Sequence, residues 1–162
     1  MNPEERRQFV RDHRTCVFSY TRKSGPPSMS IVYYVMDGND MLVSTMADRA
    51  KAKAVGRNDE VSLCVLDENW PVTYLVVYGT AKIETDPDAV VNLMMKVGEL
   101  MSGQPLPETA RPAVRAMAEK EKRVVVRVTP QATFETPPKH LNAGDDGSNL
   151  DHGLGNTLPW RG

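Results

Sequence analysis

Six runs of β-type residues separated by short turn signals constrain this chain more than any other feature. They are "TCVFSYTR" (15–22), "SMSIVYYVM" (28–36), "MLVSTM" (41–46), "EVSLCVLD" (60–67), "TYLVVYGTAKIET" (73–85) and "RVVVRVTPQATFET" (123–136). The turn "KSGPP" follows the first and the hairpin signal "DGND" the second. Tight turns join antiparallel strands, whereas parallel strands need long crossovers. The pattern therefore predicts a small antiparallel β-barrel. Gly79 and Pro130 interrupt the last two runs: Gly79 predicts a bulge or a close backbone approach, and Pro130 an edge or a bulge.

Helical pieces lie around these strands. "NPEERRQFVRDHR" opens with Asn2 as N-cap, Pro3 at the first helical position and Glu5 as capping-box partner. Asp86 and Pro87 start a second helix, with one apolar stripe of Val90, Leu93, Met94, Val97, Leu100 and Met101. "ETARPAVRAMAEKEK" reads as a third, broken or restarted near Pro112. From Pro137 the character changes, and five of the eleven glycines fall there. The expected organisation is a domain over 1–136 and an irregular Gly-rich tail over 137–162, either mobile or packed over the barrel or a partner subunit with Trp160 as its anchor.

A chain of 162 residues can bury a core without disulfides. Cys16 and Cys64 sit in apolar runs and read as free, buried thiols. A formal net charge of −1 argues against general nucleic-acid or membrane-surface binding. No apolar run is long enough to span a bilayer, so a cytoplasmic, soluble protein is expected. His13, His140 and His152 are scattered and no metal site is expected. "HGLGNT" follows no strand and opens no helix, so it is no dinucleotide fingerprint.

One segment points to chemistry. In "VSTMADRAKAKAVGRN" (43–58) a strand ends in Ser44 and Thr45, and an alanine-rich helix is expected from Asp48. Arg49 and Lys51 then occupy its first turn, where the helix dipole disfavours cations by roughly 0.3–1 kcal/mol each. An anion from outside the chain would resolve that conflict, with the two hydroxyls helping. Arg49 and Lys53 share a face while Lys51 points elsewhere, so all three cannot reach one phosphate.

The stretch "PPSMSIVYYVMDGNDMLVSTMADRAKAKAVGRNDEVSLCVLDENWPVTYLVVYGTAKI" resembles the central part of the pyridoxamine-phosphate-oxidase-like split β-barrels. The shared order is a G-x-P before a strand, a hairpin, a strand ending in T, R-x-K opening a helix, "NDEVSL" and a "V-x-G-T-A" strand. The resemblance spans roughly residues 5 to 136 and is greatest to the flavin/deazaflavin oxidoreductases that use coenzyme F420. It implies a mainly β split barrel with peripheral helices, homodimeric, with the cofactor in a groove at the dimer interface. It implies that Arg49 and Lys51 bind the cofactor phosphate with Ser44 and Thr45, that Met29, Ser30 and Ile31 line the ring, and that Tyr74 lies near the groove.

The function so implied is F420-dependent hydride transfer between reduced deazaflavin and a small organic substrate. The alternatives are an FMN-dependent oxidase or reductase, and a non-catalytic protein that binds flavin, deazaflavin or haem. No residue is assigned as catalytic; water, Tyr33 and Tyr34 are the candidate proton sources. The helical insertion 86–121 and the Gly-rich tail depart from the shortest members of the family, and both bear on the substrate pocket.

Overall fold

A computed structural model describes residues 1–67, 69, 72–136 and 154–161. Its sheet contains eight antiparallel strands: β1 (Thr15–Tyr20), β2 (Ser28–Tyr33), β3 (Val35–Asp37), β4 (Asp40–Met46), β5 (Glu60–Asp67), β6 (Thr73–Glu84), β7 (Arg123–Glu135) and β8 (Asn156–Pro159). The order is β2-β1-β5-β6-β7-β4-β3, with β8 paired to the far end of β7. The sheet curls into a half-barrel around Phe18, Val43, Leu63, Leu75, Val77, Val126 and Val128, all without solvent exposure.

Local signals explain most boundaries. Helix α1 (Pro3–Asp12) carries the complete Asn2–Glu5 capping box. The run 28–36 divides into β2 and β3 at Tyr34, whose hydroxyl donates to the Val10 carbonyl and whose amide donates to that of Arg14. Gly38, at φ +61°, makes the tight turn of the β3–β4 hairpin. At Gly79 the β6–β7 register shifts, because Gly79 pairs with Pro130 and Tyr78 with Ala132. A Cβ on Gly79 would lie 2.6 Å from the Thr129 carbonyl oxygen, so only glycine allows this approach.

Helix α2 is short, Ala50–Val55, and Arg49 is its N-cap residue. The expected start at Asp48 is therefore two residues early. Asp48 instead forms an ion pair with Lys122 at 3.4 Å. Helices α3 (Pro87–Ser102) and α4 (Arg111–Lys120), joined through a 3-10 turn at Glu108–Ala110, pack on the outer face of β4 and β7. Their core is Val90, Val91, Leu93, Met95 and Ala118 against Val125. The expected stripe on α3 is only partly buried: Met101 remains 65% exposed. The first half of α3 covers the sheet and the second half overhangs a cavity.

Residues 137–153 and 162 of the expected tail lie outside the described residues. Residues 156–159 are not irregular but form β8, and Trp160 is 2% exposed within the barrel core. Arg6 holds this end in place. It is buried and donates to the Thr133 carbonyl at 2.9 Å, to Glu135 at 3.2 Å and to the Asn156 side chain.

Candidate functional site

The two ends of the curled sheet approach each other at β2 and β4, and a cavity of about 470 Å³ straddles that seam. Strand β2 contributes Ser30 to Tyr33, and β4 contributes Ser44 and Thr45. The chain leaving β4 adds Arg49 and Lys51. Opposite them α3 and α4 present Met94, Val97, Gly98, Met101 and Met117, and Arg123 projects from the start of β7. None of these lining residues is acidic.

The structure thus gathers Ser30, Ile31, Ser44, Thr45, Arg49 and Lys51 around one space. Met29 and Tyr74 do not line it. Met29 stands on the outer face of edge strand β2 and is 67% exposed. Tyr74 lies on β6, three strands from β2, which is about 14 Å at normal strand spacing. Its hydroxyl donates to Thr136 Oγ1 at 3.0 Å. Tyr33 lines the cavity, whereas Tyr34 is 2% exposed and burial pushes its phenol far up.

The cations are arranged in an unusual way. Among the described residues neither Arg49 nor Lys51 has a side-chain hydrogen bond or an ion pair. Lys51 is 8% exposed, with its ammonium nitrogen 5.0 Å from the centre of the Phe18 ring. Burial lowers its pKa to about 8; Cys16 opposes that shift and the charge of Arg49 adds to it. The neighbouring Cys16 thiol is pushed up to about 12 by burial, so it is inert at neutral pH.

Ser44 Oγ is buried and, among the described residues, has no hydrogen-bond partner. A buried hydroxyl left unpaired is costly, and so is a buried ammonium without a counter-charge. An external phosphate ester would satisfy both at once. It would accept from Ser44, Arg49 and Lys51 while an attached ring met the methionine-lined wall. The donor set therefore fits a phosphate-bearing cofactor, and it does so through side chains. Helix α2 is too short for its dipole to carry the argument.

A family model for pyridoxamine 5'-phosphate oxidase matches residues 3–136. The chain belongs to that family. No curated protein matches it in sequence. Among solved structures, the family fold recurs in a conserved hypothetical protein from Mycobacterium tuberculosis at TM-score 0.73 and 23% identity, over 91% of this chain and 95% of that one. An F420 reductase is similar at TM-score 0.58 and 26% identity, over 74% of this chain and 88% of that one. The haem storage protein HutZ from Vibrio cholerae is similar at TM-score 0.58 and 15% identity, over 80% of this chain and 89% of that one. The split β-barrel of the family is the half-barrel described above.

Arg123, Met94, Met101 and Met117 are site residues that sequence reasoning missed. Met94, Val97 and Met101 carry the signal of a core stripe, and their period is that of any amphipathic helix. Arg123 has no local signal, since only the β4–β7 pairing brings it near Ser44.

Proposed function

We propose that the protein is an F420-dependent oxidoreductase acting on a small organic substrate, as a homodimer. The observation that carries this reading is that one cavity gathers Arg49, Lys51 and the Ser44 hydroxyl, none with a side-chain partner and with no acidic lining among the described residues. Arg49, Lys51 and Ser44 hold the cofactor phosphate. Ile31, Val97 and Met101 offer the ring an apolar wall. When bound and reduced, a deazaflavin would supply hydride-donating chemistry to an electrophilic substrate. The likeness to an F420 reductase at 26% identity supports the choice of deazaflavin.

Purified apoprotein titrated with F420 and FMN side by side tests the reading. F420 is expected to bind more tightly. Tighter FMN binding would make the protein a flavin enzyme or carrier, and binding of neither would remove the cofactor reading.

A further inference from the structure

Arg123 opens β7 directly opposite Met46, and Ser44 stands opposite Val125. Side chains of a strand alternate between faces, so Ser44, Met46, Arg123 and Val125 share the outer face of the sheet. Arg123 and Ser44 are diagonal neighbours there, a relation that brings long side chains within reach of one another. Both line the cavity.

The guanidinium of Arg123 is held from behind. Its Nε donates to Glu121 at 2.6 Å, and no other hydrogen bond or ion pair engages it among the described residues. The two terminal nitrogens remain available as a fork, the geometry that recognises phosphate oxygens. The buried Ser44 hydroxyl, without a partner among the described residues, belongs to the same cavity lining. Arg49 and Lys51 reach the same space from the chain beyond β4.

We propose that Arg123, together with Ser44, binds the anionic group taken up by this cavity and forms a second arm facing Arg49 and Lys51. The proposal rests on the reading that the ligand carries a phosphate ester, and it adds a binding residue from a distant part of the chain. A role confined to the Glu121 ion pair would be felt in stability and not in anion binding.

The test compares wild type, Arg123→Met and Arg123→Gln in two titrations. Inorganic phosphate is followed by phosphorus NMR, and F420 by fluorescence. Both variants should bind phosphate and F420 about tenfold more weakly, with melting temperatures near that of wild type. If Arg123→Met does not fold, Arg123→Gln carries the comparison. Wild-type affinity for both ligands, or a fall in melting temperature with anion affinity intact, would overturn the proposal. Phosphate binding that depends on Arg123, in a protein that takes neither F420 nor FMN, would uphold this inference and remove the cofactor reading alone.

Discussion

The ammonium nitrogen of Lys51 lies 5.0 Å from the centre of the Phe18 ring, against a side chain with no solvent exposure. A lysine held there, with no carboxylate partner among the described residues, is charged at neutral pH but close to losing its proton. Burial lowers its pKa from 10.5 to about 8.

That position predicts a pH dependence for anion binding. Below pH 8 the ammonium is charged and attracts the phosphate. Above pH 8 the apoprotein must first take up a proton, so affinity falls as pH rises, by up to about tenfold per unit. Titration with cofactor at pH 7.0 and 9.5 should show this loss, and Lys51→Met should bind weakly and with a flat profile. Equal slopes for wild type and variant would assign the titration to another group.

The same lysine affects stability with the opposite trend. Its folded pKa is depressed below the unfolded value, so the charged form is penalised in the native state. The penalty is full below about pH 8 and disappears as pH rises towards 10.5. Denaturant unfolding of the apoprotein should therefore show a native state that gains from this group between those values. Lys51→Met should lack that gain.

Much of this fold is legible in local sequence because local chemistry sets it. The Asn2–Glu5 box, the Gly38 turn and the Asp86 cap each need only three or four neighbouring residues. Gly79 and Pro130 were each readable as irregular, and the structure adds that they face each other across one bulge. Arg123 was not legible because its relation to Ser44 exists only through strand pairing. The α3 stripe was read as uniform because sequence period does not reveal where a helix runs past its sheet. The size of Trp160 marked it as the anchor of a packed tail without deciding against a mobile one, while β8 was hidden in a short run that ends in Pro159.

Gly79→Ala places a Cβ at 2.6 Å from the Thr129 carbonyl oxygen, a backbone atom that cannot move without disturbing β7. The substitution should destabilise the protein by about 1–3 kcal/mol, as overpacking does. Urea unfolding measures it. A change below about 0.5 kcal/mol, the ordinary range of a neutral surface substitution, would mean that the bulge adapts.

Trp160 is 2% exposed in the barrel core, and its amide donates to the Gln131 carbonyl at 2.9 Å. Trp160→Ala should cost about 3–5 kcal/mol. The loss should appear in the melting temperature of the whole barrel, because Arg6 of α1 donates both to β7 and to Asn156 of β8. A melting curve that keeps its midpoint would contradict the packing described.

Ile31, Val17, Cys64, Val76 and Phe134 form one row across the outer face of five strands. Ile31 is 77% exposed and the adjacent Met29 67%. A second copy covering this face predicts a sedimenting mass about twice 18.0 kDa. Met29→Glu combined with Ile31→Glu should return the monomer. A wild-type monomer at micromolar concentration would exclude that use of the face.

The measurement closest to the central claim is a parallel titration of wild type and an Arg49→Ala, Lys51→Ala variant with F420 and with FMN. Each cation should contribute about 1.5–3 kcal/mol of charge-assisted contact, so the double variant should lose at least a hundredfold in affinity for whichever cofactor wild type prefers, with its fold retained. A folded double variant that binds that cofactor as tightly as wild type would contradict the account.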